Sequence, residues 1–377
     1  VARAGSDAEL SLQYQWYLNN APYAGATSTN LILSSVPIAY NGAQIYLVAR
    51  RAADGLSITS SVTTLTVNQA VFEAGFLKSE RWNSQTSLAN LRNGTLGTPN
   101  FLMAVPAFAG SINNPGGQNN FVRRISGYFL PPATTNYVFY TTGDDDSDLF
   151  LSTDSTPGNK RIVCHQDGWN NGSQWAWQAV GGGGANTTQM RSSTYLAGGA
   201  GGILLTQGQR YYIEQIWHQG GGGANNAATF VMIPNGSPDP STYDPAAGTP
   251  TALTGSVIGM SALRCSYVAF TKHPSNIVAA VLGTTVSFKA DGVSDSTISV
   301  GSIFGYEGSQ PLSPLAFQWY TNGVLVPGNV SGTLQLGPIT SAHAGMTVMC
   351  KARALGYTDN SLNPIYTNSL TATIQSV

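Results

Sequence analysis

The sequence predicts an all-β protein built from three β-sandwich domains in a row. Short runs of Val, Ile, Thr, Tyr and Phe are separated by turn residues throughout the 377-residue chain, and helix signals are almost absent. A Gln-Trp-Tyr segment occurs once near each end of the chain, and an acidic cluster lies between the two copies. These observations predict domains over residues 1–68, 71–258 and 266–377.

The two terminal domains are predicted to be copies of one fold. The Gln-Trp-Tyr segments are centred on Trp16 and Trp319, and Leu47 and Cys350 each follow 31 residues later. This pattern resembles bacterial immunoglobulin-like domains, in which a buried Trp lies on the third strand of the sandwich. The resemblance implies that both Trp side chains are core anchors and that Leu47 and Cys350 occupy the position of the second core cysteine.

The two copies differ in length. The C-terminal copy carries an extra segment at residues 293–310, whereas residues 1–5 align with residues 287–291, so the N-terminal copy lacks its first strand and much of its second. A sandwich opened in this way exposes a sheet edge. We therefore expect that upstream sequence or a strand from a neighbouring chain completes it, which would make the protein self-associate.

The acidic cluster of the middle domain is the most specific feature of the sequence. Residues 141–154 contain five of the 18 acidic residues, and apolar strand-forming runs flank them on both sides. The cluster is therefore predicted to lie on a tight connection between two strands. Crowded carboxylates repel one another unless a cation neutralises them, and Ca²⁺ prefers such oxygen ligands. The alternative is an acidic turn that only solvent contacts.

The sequence around this cluster resembles the protective-antigen/flocculin type of β-sandwich domain over residues 72–233. The motifs that carry the resemblance are Gly75-Phe-Leu-Lys-Ser-Glu-Arg-Trp82, Arg123-Arg-Ile-Ser-Gly-Tyr-Phe-Leu-Pro-Pro132, the acidic cluster and a glycine-asparagine segment at residues 220–226. They occur in the order that the family shows. The predicted architecture is therefore a protective-antigen-like sandwich between two immunoglobulin-like sandwiches.

The resemblance implies a calcium site that holds sugar hydroxyls. In the family, two neighbouring Asp residues joined by a cis peptide bind Ca²⁺, and they match Asp144 and Asp145. A second loop, rich in Gly and Asn, completes the site, and residues 220–226 match it. Asn225 and Asn226 are the expected calcium ligands of this loop, and Gly222 and Gly223 are expected to contact the sugar. Close relatives often have an acidic residue where this chain has Ala224, which removes one carboxylate from the neighbourhood of the site.

Several Trp residues are candidates for stacking on a sugar ring. Aromatic faces bind sugars well, and a Trp in a polar, turn-rich segment is costly to expose without a use. The candidates are Trp169, Trp175 and Trp217. The alternative for each is packing in a core or against a loop.

Composition excludes several classes of function. The chain has 17 basic and 18 acidic residues, so it lacks the positive charge that nucleic acids or anionic membranes attract. No apolar run approaches the roughly 20 residues that span a bilayer. Charged residues form only 9% of the chain, which together with the β pattern favours an extracellular protein. The three cysteines, Cys164, Cys265 and Cys350, show no metal-ligand spacing and are predicted to be buried and unpaired.

Three hypotheses for function follow. In the first, the chain is a non-catalytic segment of a large bacterial surface protein, and its middle domain is a Ca²⁺-dependent module for adhesion to glycans or glycoconjugates. In the second, it is a structural repeat unit of an extracellular fibre or surface layer, with calcium only structural. In the third, it is an accessory module of a secreted hydrolase. Neither a zinc site nor a nucleophile motif is present in the sequence, and Glu214 falls on a predicted strand, so the chain is not expected to be an enzyme.

Overall fold

The computed structural model describes residues 12–33, 36–67, 69–109, 119–169, 189–197, 201–222, 225–233, 253–300, 315–327, 331–359 and 363–377. The chain divides into two compact units, Val1–Ala70 and Val71–Val377. The fold is all-β, as predicted. In the described residues, helical structure is confined to α1 (Ala89–Arg92), α2 (Ser192–Tyr195) and four short 3-10 turns at Ile38–Tyr40, Pro157–Asn159, Gly255–Val257 and Ser341–His343.

The described strands of the first unit form one antiparallel sheet. They are β1 (Leu12–Leu18), β2 (Ala21–Pro22), β3 (Gln44–Arg51), β4 (Ser57–Thr59) and β5 (Thr63–Thr64), in the order β2-β1-β3-β4, with β5 also paired to β3. Trp16 on β1 lies opposite Leu47 on β3. Its indole Nε1 donates to the Ser28 carbonyl at 2.9 Å, and the side chain is half-buried. Residues 1–5, where strands are predicted to be missing, lie outside the described residues.

The middle of the chain forms a sandwich of a large and a small sheet. Its strands are β6 (Ala70–Ala74), β7 (Leu77–Asn83), β8 (Phe101–Val105), β9 (Phe121–Phe129), β10 (Thr135–Asp144), β11 (Ser147–Ser152), β12 (Lys160–Gln166), β13 (Ile203–Leu205), β14 (Tyr211–Gln219), β15 (Asn225–Ile233) and β16 (Ile258–Leu263). The large sheet runs β12-β11-β14-β9-β7-β8, and β16 pairs with β6 and β9. The small sheet runs β13-β10-β15. Strand β16 continues the large sheet beyond residue 258, the predicted end of this domain.

The core of this sandwich is aromatic. Tyr137 and Phe139 alternate along β10, so both point between the sheets, where they meet Phe129 of β9 in edge-to-face contacts with ring centroids 5.4 and 5.2 Å apart. All three side chains are fully buried. Burying each of these rings stabilises the fold by about 1.5–3 kcal/mol or more. The packing fixes β10 against the large sheet, and β10 leads directly into the acidic loop.

The C-terminal strands surround a second core. They are β17 (Val268–Lys272), β18 (Val286–Lys289), β19 (Asp291–Ser294), β20 (Ser299–Val300), β21 (Ala316–Thr321), β22 (Val324–Val326), β23 (Thr333–Leu336), β24 (Thr347–Arg353), β25 (Thr367–Asn368) and β26 (Ala372–Thr373). Trp319 is fully buried and lies opposite Cys350. Its Nε1 donates at 2.8 Å to the carbonyl of Ser331, twelve residues later in the sequence. Trp16 makes the equivalent hydrogen bond to Ser28, which is also twelve residues later. All three cysteines are buried and unpaired, as predicted.

Two contacts join the middle sandwich to the C-terminal strands within the second unit. Strand β20, part of the extra segment at residues 293–310, pairs in parallel with β8 at the edge of the large sheet. Glu73 on β6 is buried, accepts a hydrogen bond from the Gly356 backbone at 2.7 Å and forms an ion pair with Arg353. An apolar cluster fills the space around these contacts. The boundary predicted between residues 258 and 266 remains a prediction.

Candidate functional site

The acidic cluster forms the turn between two strands, as the sequence predicts. Strand β10 ends at Asp144 and β11 begins at Ser147, so only Asp145 and Asp146 connect them. The peptide bond between Asp144 and Asp145 is cis, as the resemblance implies.

A buried glutamine holds this turn from one side. Gln166, at the end of β12, accepts a hydrogen bond from the Gly143 backbone nitrogen at 3.0 Å. Its Nε2 lies within hydrogen-bond distance of the carbonyls of Gly143, Asp145 and Gly168, at 2.6, 3.1 and 2.9 Å. The side chain is fully buried. Sequence reasoning missed Gln166, because nothing distinguishes a glutamine at a strand end before the turn that it contacts is known.

Trp217 holds the turn from beneath. Its indole Nε1 donates to the Asp144 carbonyl at 2.8 Å, and its ring packs edge-on against Phe121 at 5.2 Å. A Cβ at Gly143 would lie 2.9 Å from the Asp145 carbonyl oxygen and 3.1 Å from the Trp217 ring, so the turn needs glycine there. The side chain is only 3% exposed. The prediction that Trp217 stacks on a ligand is therefore replaced by a positioning role: its ring is covered and its one donor is used.

Asp145 is fixed by the glycine loop that follows β14. The Gly220 backbone nitrogen donates to Asp145 Oδ2 at 2.6 Å, and the Asp145 nitrogen donates to the His218 carbonyl at 2.8 Å. A Cβ at Gly220 would lie 2.8 Å from Asp145 Oδ2. An added Cβ would therefore displace the Asp145 carboxylate from its present position, and the first residue of the 220–226 segment contacts the acidic pair.

Asp144 lies opposite Asn225 in the ladder between β10 and β15. Directly opposed residues of antiparallel strands share a face, with Cβ atoms about 4.5–5.5 Å apart. Asn225 is buried, and Asp144 is half-buried. Burial, together with the neighbouring charge of Asp145, raises the pKa of the Asp144 carboxyl to about 6. The site thus brings an amide side chain and two carboxyl groups together at one end of the sandwich.

The other predicted amide ligand lies on the opposite face. Asn226 pairs with Gly143, and consecutive strand residues point to opposite sides of a sheet. Its Nδ2 donates to Gln215 Oε1 at 2.7 Å inside the sandwich, where Gln215 also binds Thr141. The Asn226 side chain therefore supports the interior beneath the turn, and only Asn225 shares the face of Asp144.

The donor set suits a hard cation with oxygen ligands. In the described residues, no Lys, Arg or His forms an ion pair with Asp144 or Asp145, so neither carboxylate is in direct contact with a basic side chain of that part of the chain. That part of the chain also holds no group of three or more His, Cys, Asp or Glu side chains that could bind a metal ion without other donors. A Ca²⁺ ion here would take its remaining oxygens from the Asn225 amide, backbone carbonyls and solvent.

Two of the other three acidic residues of the cluster are engaged in ion pairs, and the third, Asp154, accepts hydrogen bonds from Ser152, Thr156 and Asn159. Asp146 Oδ1 lies 3.0 Å from His218 Nδ1. Asp148 is fully buried, and it binds Arg92 at 2.6 Å and His165 Nδ1 at 2.6 Å. Burial alone would raise the pKa of Asp148, but the hydrogen bonds from His165 and Arg92 lower it. These pairs join the turn to α1, β12 and β14, and among the described residues they leave Asp144 and Asp145 as the carboxylates of the turn without an ion-pair partner.

The remaining predicted ligand contacts are distributed as follows. Trp169 is half-buried and directly follows Gly168, whose carbonyl binds Gln166 beside the acidic turn. Gly222 is exposed with a φ of 84°. Trp175 and Gly223 lie outside the described residues. Of these, Trp169 and Gly222 remain candidates for contact with a ligand at the turn.

Glu214, the other carboxylate weighed for catalysis, lies on β14 as predicted. It is buried, and its two oxygens bind Lys160 Nζ at 2.6 Å and the Tyr212 hydroxyl at 2.6 Å. The network lies several residues along β14 from the acidic turn. Both carboxylate oxygens of Glu214 are therefore hydrogen-bonded, as in an ion pair that stabilises the sheet.

Comparison with known proteins finds a similarity in the middle of the chain. The sequence model of the PA14 domain matches residues 82–240, which confirms the resemblance over most of residues 72–233. The comparison with curated proteins found no match. No helix in the described residues has the length and apolar character of a membrane span.

Solved structures resemble the chain only distantly. The Epithelial Adhesin 6 A domain from Candida glabrata, solved in complex with Galb1-3GlcNAc, is 14% identical, with 52% of this chain and 88% of that chain covered, at a TM-score of 0.30. An anti-sigma factor domain-containing protein from Clostridium clariflavum is 13% identical, with 66% and 78% covered, at a TM-score of 0.29. Immunoglobulin domains 1–5 of Sidekick-1 are 13% identical, with 97% and 52% covered, at 0.21. Likenesses this low decide neither the fold nor a ligand.

Proposed function

We propose that the middle domain is a Ca²⁺-dependent glycan-binding module within an extracellular adhesion protein. The observation that supports this most strongly is the pair Asp144 and Asp145, which share a strand turn, lie beside the Asn225 amide and have no basic partner among the described residues. The match of residues 82–240 to the PA14 domain supports the same proposal. The low charge of the chain and its all-β fold suit an extracellular setting.

In this proposal the chain supplies a rigid, negatively charged cradle. Asp144 and Asp145 provide the charge, and the amide of Asn225 provides a neutral oxygen. Bound Ca²⁺, which takes six to eight oxygen ligands, would offer positions for two neighbouring hydroxyls of a sugar. Gln166, Trp217 and Gly220 hold the turn through backbone contacts, so the carboxylates are oriented before a ligand arrives.

The test is binding to a broad glycan array in millimolar Ca²⁺ and again in EDTA. The full chain should bind at least one sugar in Ca²⁺ only, in the millimolar to micromolar range, or about 4–8 kcal/mol. Asp144→Asn keeps the size of the side chain but removes charge, and it should abolish binding. Asp167→Asn, at a carboxylate that is 62% exposed and pairs only with His165, is the matched control and should bind normally. Sugar binding that survives EDTA or Asp144→Asn would contradict the proposal.

A second candidate function is a structural unit of an extracellular fibre or surface layer. The observation that favours it is the joint at which β20 pairs with β8 and Glu73 pairs with Arg353, because it fixes the middle sandwich to the C-terminal strands. Under this proposal the chain self-associates whether or not Ca²⁺ is present. Sedimentation velocity over a range of protein concentrations tests it, and a strictly monomeric chain would contradict it.

A further inference from the structure

A pocket of about 570 Å³ opens beside the acidic turn. Its described lining contains one aromatic residue, Phe101, and one cation, Arg81. The rest are small hydroxyl and amide side chains, among them Asn83, Thr86 and Asn119. The volume falls within the roughly 300–1,000 Å³ typical of small-molecule sites. The described lining includes no carboxylate.

The pocket and the acidic turn are joined by a single residue. The Gly220 nitrogen donates to Asp145 Oδ2 at 2.6 Å, and the Gly220 carbonyl accepts from the backbone nitrogen of Asn120, which lines the pocket, at 3.1 Å. The strand ladder agrees: Asn83, at the end of β7, lies opposite Phe121 on β9, which in turn lies opposite Gln219. The pocket therefore lies at the same end of the sandwich as the carboxylate pair.

The chemistry of the pocket walls suits a polyhydroxylated ring. The Arg81 guanidinium lies 4.0 Å from the ring centroid of Phe121 and 5.3 Å from that of Phe101, so it is held between two aromatic side chains. Phe101 is half-buried and offers an apolar surface. Asn83 and Thr86 are exposed and carry hydrogen-bonding groups. A sugar ring needs both kinds of contact, since it has apolar C–H faces and a rim of hydroxyls.

We propose that this pocket is a second carbohydrate subsite and that the module binds an oligosaccharide rather than a single sugar. The terminal sugar would lie at the carboxylate pair, and the next sugar would lie across Gly220 in the pocket, against Phe101 and the amide of Asn83. This inference rests on the proposed function. It adds that the ligand is at least a disaccharide and that the pocket decides which linkage is accepted.

The test fills the pocket and leaves the carboxylate pair untouched. Thr86→Trp places a bulky ring at the pocket wall. Thr206→Trp is the matched control, because Thr206 is exposed and follows β13, which pairs with the start of β10, at the end opposite the acidic turn. The full chain and both variants are applied at millimolar Ca²⁺ to an array of methyl monosaccharides, disaccharides and trisaccharides, and each is titrated with Ca²⁺ by calorimetry.

The wild-type chain should bind at least one oligosaccharide tenfold or more tightly than the methyl glycoside of its terminal sugar. Thr86→Trp should lose that advantage but keep the wild-type affinity for the methyl glycoside and for Ca²⁺, and Thr206→Trp should match the wild type throughout. Asn83→Ala, which removes one amide without adding volume, should lose part of the advantage and guards against misfolding of the Trp variant.

The outcomes separate the subsite from the proposed function. If the wild-type chain binds monosaccharides in Ca²⁺ but gains nothing from a second sugar, the subsite is wrong and the function stands. The subsite is equally wrong if Thr86→Trp binds oligosaccharides as tightly as the wild type does. If the wild-type chain binds no glycan in Ca²⁺, both the proposed function and the subsite are overturned.

Discussion

Glu73→Ala should destabilise the second unit strongly, because it leaves a buried cation without its partner. Glu73 is 1% exposed and Arg353 is 7% exposed. Glu73 accepts from both the Arg353 guanidinium and the Gly356 backbone nitrogen. Removing one partner of a buried ion pair costs about 3–5 kcal/mol. At roughly 2–4 °C per kcal/mol, this corresponds to a fall of about 6–20 °C in the unfolding temperature.

The assay is calorimetric unfolding together with hydrogen exchange, since a chain with several cores need not unfold in one step. Exchange should rise at β6 and β24, the strands that carry the pair. The double variant Glu73→Leu/Arg353→Met should recover much of the loss, because it removes both charges and keeps the volume. Asp54→Ala, which breaks the exposed pair with Arg51 in the first unit, is the control. If Glu73→Ala lowers the unfolding temperature no more than Asp54→Ala does, then this pair does not hold the middle sandwich to the C-terminal strands.

Three further predictions concern the turn and the C-terminal core. The hydrogen bond to Asp148 raises the pKa of His165 above its ordinary value of 6.5, so the charged pair stabilises the fold fully below pH 6.5. That contribution should fall as pH rises through the raised pKa, and thermal unfolding from pH 5 to 9 measures it. Gly220→Ala should weaken Ca²⁺ affinity about tenfold in a calorimetric titration, because its Cβ would lie 2.8 Å from Asp145 Oδ2. Trp319→Ala should cost about 3–5 kcal/mol in denaturant unfolding, because this ring is fully buried.

Matched variants check each of these predictions. His165→Gln should abolish the loss of stability between pH 6.5 and the raised pKa, and an unchanged profile would contradict the pairing. Gly97→Ala, where a Cβ meets nothing within 4 Å, should leave Ca²⁺ affinity unchanged, and an equal loss in both glycine variants would contradict the close approach at Gly220. Trp16→Ala should cost less than Trp319→Ala, because Trp16 is only half-buried. A larger cost for Trp16→Ala than for Trp319→Ala would contradict the difference in burial between the two Trp side chains.

The parts of the fold that local patterns encode were predictable. Alternating apolar and polar residues locate the strands, and a fixed spacing pairs Trp319 with Cys350 across two of them. Turn residues and charge density locate the acidic connection between β10 and β11. The resemblance to a known family supplied what the pattern could not, namely the cis peptide at Asp144 and the glycine loop at residues 220–226, whose first residue contacts Asp145.

The parts that depend on contacts distant in sequence were not predictable. Nothing local marks Ser299–Val300 as a strand that pairs with the edge of another domain's sheet, because its partner β8 lies almost 200 residues earlier. Trp217 was a candidate for stacking on a sugar because an indole ring can pack either against a sugar or within a protein core. Only the position of the Asp144 carbonyl shows that its ring lies beneath the turn. Asn225 and Asn226 are adjacent in sequence, and the strand pleat alone separates their roles.

The most direct test of the proposed calcium site is an anomalous difference map from crystals of the full chain grown in millimolar Ca²⁺. The account predicts one peak, in contact with carboxylate oxygens of both Asp144 and Asp145 and within ligand distance of the Asn225 amide, at about 2.3–2.6 Å. Crystals of Asp144→Asn grown in the same solution should show no peak there. A map of the wild-type protein without a peak beside these two carboxylates would contradict the account.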